Sequence, residues 1–158
     1  MNPQARKLVD DLIDGVFSAF NLPSDLPIIS TGASMGGCSA LVYSRYARRA
    51  VTACCALFPA CDLPFHYTER PDLPRTMHHA FDTCPAPFEK ALADHSPLHI
   101  VNEMPQIPYM IIHGDKDELV DKTRHSDKMV AAMRKRNLQV EYVEVPGMGH
   151  GGLIPYRA

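Results

Sequence analysis

Three things are missing from the sequence, and each absence removes a class of function. There is no surplus of positive charge: 16 Lys and Arg against 18 Asp and Glu in 158 residues leave a formal charge of −2. Nothing then supplies the basic stripe that binding a phosphate backbone needs, so no nucleic-acid partner is expected. There is no long apolar run either. The longest, Ala50 to Phe58, is far short of the roughly 20 residues that cross a bilayer, so no membrane partner is expected. Finally, there is no C-x-x-C pair. The five cysteines, Cys38, Cys54, Cys55, Cys61 and Cys84, are odd in number and lie mostly in apolar or helical-looking stretches. Free buried thiols are the simplest reading and suit a reducing compartment, with a Cys61–Cys84 bridge as the alternative. The first residues, Met1 to Lys7, carry no apolar signal core, and the cytoplasm is the expected location.

What is present is ordinary in bulk and uneven in arrangement. Hydrophobic residues at 46% and charged residues at 22% match a folded globular chain, and a prior of about 150 residues per domain predicts one domain over 1–158. Of the fourteen prolines, nine fall between 59 and 108, whereas 28–58 and 109–145 have none. Proline interrupts helices and central strands, so 59–105 reads as an irregular excursion with short helices between two regular blocks.

In the first block Asn2 is a candidate N-cap and Pro3 the first helical residue. Leu8, Val9, Leu12, Ile13, Val16, Phe17 and Phe20 then recur at helical spacing, with Lys7, Asp10, Asp11, Asp14 and Ser18 opposite. This predicts an amphipathic helix whose apolar face packs on a neighbour and which ends at Asn21 to Pro23. A short strand over Leu26 to Thr31, a helix over Gly36 to Arg48 and a strand over Ala50 to Leu57 follow. In the second block, Ile107 to His113 is a continuous apolar run, as in a strand buried on both faces. A helix over Thr123 to Arg136 and a strand over Gln139 to Val145 complete it, and Glu141 and Glu144 place the last strand at a sheet edge. The alternation predicts an α/β fold, a parallel sheet of about four strands flanked by helices.

Between the first strand and the second helix lies Gly32-Ala33-Ser34-Met35-Gly36-Gly37, a G-x-S-x-G motif in strand–turn–helix context. A nucleophilic serine on such a turn needs strained backbone angles, and the flanking glycines let strand and helix approach. The turn also offers the N–H of Met35 to a developing oxyanion. Taken alone, the motif equally describes a glycine-rich turn without chemistry, or one cradling a phosphate, although the Lys-Ser/Thr of a P-loop is missing. The third strand runs into His113-Gly114-Asp115-Lys116-Asp117-Glu118, and the fourth into Pro146-Gly147-Met148-Gly149-His150-Gly151. Each turn is unremarkable by itself. Together they put a serine, carboxylates and a histidine in chain order, each after a strand of one sheet, where open α/β sheets bind ligands.

At this point the chain resembles the C-terminal catalytic half of an α/β-hydrolase. The stretches G-A-S-M-G-G, P-Y-M-I-I-H-G-D-K-D-E-L-V and V-E-V-P-G-M-G-H-G are most similar to the branch of prolyl oligopeptidase-like peptidases, dienelactone hydrolases and carboxylesterases. The resemblance implies Ser34 as nucleophile, His150 as base and, through the pattern H-G-x-x-D, Asp117 rather than Asp115 or Glu118 as the acid. Met35 would supply its backbone N–H. The implied reaction is cleavage of an ester or peptide bond of a small-molecule or peptide substrate, with no cofactor and no metal. The resemblance also implies a partial fold: the family sheet has about eight strands against four here. The half carrying the loop with the second oxyanion donor is missing, and the tail 153–158 is short. An unpaired nucleophile strand predicts a homo-oligomer or a missing N-terminal half, with 59–105 as a cap over the site. The alternative is a catalytically silent module that works in binding or assembly. Of the remaining candidates, His78, His79, Asp82 and Cys84 match no standard zinc spacing. Pro97 separates His95 from His99, and His113 reads as structural.

Overall fold

The structure is a computed structural model that describes residues 1–151. The expectation of a shortened tail over 153–158 therefore falls outside the described residues. Among those described, six α-helices and four strands follow in the order α1 (Pro3–Ala19), β1 (Ile29–Ala33), α2 (Met35–Tyr46), β2 (Ala53–Leu57), α3 (Leu63–Glu69), α4 (Leu73–Phe81), α5 (Phe88–Asp94), β3 (Tyr109–Gly114), α6 (Ser126–Lys135) and β4 (Val140–Val145). The strands form one parallel sheet in the order β1-β2-β3-β4. This is the α/β architecture expected, with β4 at an edge.

Strand and helix starts are shifted from the sequence reading, and the causes are local. Pro27 and Pro108 have no N–H to give a ladder. Accordingly β1 begins at Ile29 instead of Leu26, and β3 at Tyr109 instead of Ile107. The helix expected from Thr123 starts at Ser126, because Asp121 closes a turn on itself by accepting the Thr123 N–H at 2.8 Å. Helix α1 begins as predicted, with Asn2 Oδ1 accepting the Ala5 N–H at 2.8 Å and Pro3 at the first position.

Two packing expectations are corrected. The run through β3 is not buried on both faces. Tyr109 and Ile111 are buried, in one cluster with Cys54, Ala56, Ala40 and Leu41 of α2, and Met129, Val130 and Met133 of α6. Met110 and Ile112, on the opposite face, are only half-buried. Apolar residues thus line both faces, but among the described residues these helices cover one. Helix α1 likewise does not bury its whole apolar face: Phe17 is buried, whereas Leu8, Leu12, Val16 and Phe20 are 40 to 72% exposed. Its orientation is set by its acidic side. Asp10 accepts hydrogen bonds from the Tyr43 hydroxyl at 2.8 Å and the Arg48 N–H at 3.1 Å, and Asp14 pairs with Arg49 at 2.7 Å. Those bonds turn toward the end of α2 residues that the periodicity alone assigns to solvent.

The proline-rich excursion packs rather than dangles. Leu63, Leu73, Met77, Phe81, Ala91 and Leu92 form a second cluster with Cys38 and Val42 of α2. Helix α2 is therefore buried between the sheet and the excursion, which explains its small residues and its lack of a polar face. All five cysteines are free, so the Cys61–Cys84 alternative is not realised. Burial pushes the Cys54 thiol up to about 11 and raises Cys38 and Cys61 as well, which leaves them unreactive packing groups.

The end of β3 touches the loop after β4 with no space between backbones. A Cβ at Gly114 would lie 2.0 Å from the Met148 carbonyl oxygen. Gly114→Ala is expected to lower stability by about 1–3 kcal/mol, the usual cost of overpacking, read as a shift of the urea midpoint at constant slope.

Candidate active site

Ser34 is the hinge between β1 and α2. Its φ is +55° and ψ −124°, a backbone conformation that L-residues populate only when their surroundings hold them there. The hold is visible on both sides. The Ser34 N–H donates to Leu57 O at 2.9 Å, and Cys38 N–H donates to Ser34 O at 3.0 Å to start the helix. Gly32 makes the bend possible, since a Cβ there would meet the Gly36 carbonyl oxygen at 2.3 Å. As the first residue of α2, Met35 has no partner within the helix for its N–H.

The loop after β3 carries Asp117 with its side chain fully buried. Its Oδ1 accepts the N–H groups of Leu119 at 2.9 Å and Val120 at 3.0 Å, while Oδ2 lies 2.8 Å from His150 Nδ1 and 3.1 Å from His113 Nε2. Burial alone would raise the carboxyl, but the His150 bond and the two backbone N–H groups outweigh it and hold Asp117 below the usual carboxylate range. His150 Nδ1 faces an acceptor, so it carries the proton, and Nε2 is left to accept the Ser34 hydroxyl at 2.9 Å. Ser34, His150 and Asp117 thus form one line of hydrogen bonds at the carboxyl edge of the sheet. The two other acidic candidates stand apart: Glu118 is exposed, and Asp115 accepts the Gly147 N–H at 2.6 Å, bracing the loop that bears His150.

Two neighbours escaped the sequence reading. Phe58, just past β2, packs its ring edge-on against His150 at 4.7 Å and has φ +36°. Only its place between a strand end and Pro59 hints at a special turn. Glu69 at the end of α3 is the other. It accepts from His125 Nε2 at 2.9 Å, from Asp121 N–H at 3.1 Å and from His66 Nδ1, tying the excursion to the segment between Asp117 and α6.

His66, Glu69 and His125 also have the composition of a metal site, with ligand atoms all within 4.8 Å of one another. The second nitrogen of His125 argues against it. Nδ1 accepts the N–H groups of Cys61 at 3.0 Å and Asp62 at 3.1 Å. A neutral ring must then keep its proton on Nε2, the atom a metal would need, whereas a ligating histidine donates from its other nitrogen. Glu69 is a hydrogen-bond clamp in this chemistry. The other histidine candidates do not assemble: His78 stacks on Phe88 at 3.8 Å, His79 is exposed 3.8 Å from Asp82, His95 bonds Ala91 O at 2.7 Å and His99 faces Asp62 at 3.4 Å.

The profile of the prolyl oligopeptidase family matches residues 8–157. Solved structures similar to this chain include a puromycin-hydrolyzing peptidase of Mycobacterium tuberculosis, 21% identical with a TM-score of 0.71 over 87% of this chain and 20% of that one. The acylaminoacyl peptidase of Pyrococcus horikoshii is 14% identical, with a TM-score of 0.74 over 90% of this chain and 23% of that one. A Thermogutta terrifontis esterase is 21% identical, with a TM-score of 0.59 over 82% of this chain and 47% of that one. The chain therefore spans about a fifth of the peptidases and about half of the esterase. No curated protein matches it.

The buried titratable groups set a pH dependence of stability. Burial is the main reason that His95, His113 and His125 lie below the ordinary histidine value, so the unfolded chain takes up protons there first. Asp117 and Glu69 are lowered carboxylates, whose contribution is present above the ordinary carboxylate value and is lost as pH falls through their folded values. Stability is expected to fall steadily as pH drops below about 6.5 and to keep falling below about 4, as measured by denaturant midpoints across that range.

Proposed function

Because the chain belongs to the prolyl oligopeptidase family, we propose that it is a serine hydrolase cleaving an ester or peptide bond through an acyl-enzyme on Ser34. The observation that carries this reading is the unbroken line from Ser34 Oγ to His150 and Asp117, with contacts of 2.9 and 2.8 Å. His150 Nε2 takes the Ser34 proton as Oγ bonds to the substrate carbonyl carbon, and the carbonyl π pair moves onto oxygen. The Met35 N–H, at the positive end of α2, stabilises that oxyanion. Collapse expels the leaving group, which takes the proton from His150. Water then repeats the sequence to free Ser34 and release the acid. Asp117 keeps the imidazole in the tautomer that makes both transfers possible and stabilises the imidazolium between them.

The peptidase and esterase among the similar structures support both bond types, so the substrate in this reading is a small-molecule ester or a peptide. In this reading residues 59–105 are the cap that shapes the pocket, fastened by the Glu69 clamp. The free thiols suit the cytoplasm, and no helix among the described residues is long and apolar enough to cross a membrane.

A fluorophosphonate probe on the purified chain tests the chemistry: Ser34 labels, Ser34→Ala abolishes the label, and Asp117→Asn slows it on the order of 10³–10⁴-fold. A folded chain that never labels would instead make it a silent module working in binding or assembly. A second expectation concerns assembly. Among the described residues β1 pairs only with β2, and Ile29 on it is 64% exposed beside Leu26 at 42%. An apolar free edge recruits another strand, and we propose a second copy of this chain as its partner in the isolated protein. Sedimentation should show a dimer or higher species, and Ile29→Lys should shift it toward monomer.

A further inference from the structure

His113 lies outside the line of proton transfer, yet it occupies the other side of the acid. The ring is fully buried, and Nε2 lies 3.1 Å from Asp117 Oδ2 and 3.2 Å from the Val120 carbonyl oxygen. Both partners are acceptors, so Nε2 carries the proton. Nδ1, 2.6 Å from Ser126 Oγ, then accepts the Ser126 hydroxyl at the start of α6. One carboxylate oxygen of Asp117 consequently receives two imidazole N–H groups, one from β3 and one from the loop after β4.

We propose that His113 is a positioning residue for the catalytic acid, its Nε2–H fixing the plane of the Asp117 carboxylate and sharing the charge that Asp117 presents to His150. This rests on the reading of Ser34, His150 and Asp117 given above. Two backbone N–H groups hold only Oδ1, so without His113 the oxygen that faces His150 would be held by His150 alone. A neutral donor is the chemistry required. A lysine or arginine at this place would cancel the negative charge that stabilises the imidazolium, whereas a neutral imidazole donates a hydrogen bond and leaves that charge in place. Of the groups facing His113, Asp117 in the loop after β3 and Asp127 in α6 favour a second proton on the ring, and Ser126 gives it a hydrogen bond; burial, aided by His125 just before α6, outweighs the carboxylates and keeps the ring neutral. Ser126 in turn follows His125, the residue clamped by Glu69, so the ring that orients the acid is seated on the segment that fastens the excursion.

The test combines two measurements on the full chain. The first is the rate of fluorophosphonate labelling from pH 5 to 9 for wild type, His113→Leu and His113→Gln. His113→Leu should lower the plateau about 10- to 100-fold, the usual effect of losing a hydrogen bond to a charged group. It should also move the acid limb to higher pH, because Asp117 without this donor presents more of its charge to the imidazolium, which must give up a proton before Ser34 can be activated. His113→Gln, whose amide N–H reaches the place of Nε2, should recover most of both. A His113→Leu profile that matches wild type in plateau and limb would reduce His113 to a space-filling residue and overturn the proposal. The second is the imidazole tautomer of His113 by ¹⁵N–¹H correlation in the wild-type chain, expected as Nε2–H; a proton on Nδ1 would overturn the proposal even if His113→Leu fails to fold. Failure of the wild type to label would sink the hydrolase reading instead, and the tautomer would still decide whether His113 holds Asp117.

Discussion

The carboxylate of Asp117 is the interaction on which this structure turns. It is buried, it is charged, and it is satisfied by four donors: two backbone N–H groups on one oxygen and two imidazoles on the other. An isolated carboxylate in such a place would be prohibitively costly. With all four donors present it becomes the joint between the loop after β3, the end of β3 itself and the loop after β4. His150 meets Ser34 because this joint sets the ring's direction, and Phe58 closes the ring's flank.

Around that joint the packing is one-sided. The helices and the proline-rich excursion gather over one face of the sheet, where Leu41, Ile111, Met129 and Met133 are fully buried. The excursion is held by apolar contacts with α2 and by Glu69, whose three donors come from its own helix and from the segment leading into α6. An element that is a candidate cap is therefore fastened to the segment that follows the acid. The outer edge of β1 and the stripe Leu8, Leu12, Val16 and Phe20 carry apolar surface that no described residue covers. On the physical argument, such surface marks a place of contact.

How much of this was legible depends on the range of the interactions involved. Helix α1 and its cap can be read directly, since Asn2, Pro3 and the apolar spacing act within a few residues of one another. The way α1 faces cannot, because Asp10 and Asp14 are oriented by Tyr43, Arg48 and Arg49, more than thirty positions away. Strand β3 was readable as a strand and misread as buried on both faces: periodicity reports that Met110 and Ile112 are apolar, not whether anything lies over them. The metal-like trio of His66, Glu69 and His125 joins residues more than fifty positions apart, and no spacing rule reaches across such a gap.

Ser34, His150 and the carboxylates after β3 stood out in the sequence because parallel strands deliver the loops after them to one edge, and the choice of Asp117 among those carboxylates came from the family resemblance through H-G-x-x-D. Element order, the parallel sheet, the sharp turn at Gly32–Gly37 and the free cysteines follow from local composition and alternation, which act through backbone sterics and hydrophobic periodicity. The tertiary structure alone decided the finer partners: that His113 shares Asp117 with His150, which nitrogen of each histidine keeps its proton, and which side of α1 faces α2. Those choices depend on distances between groups far apart in the chain, and only the folded backbone sets them.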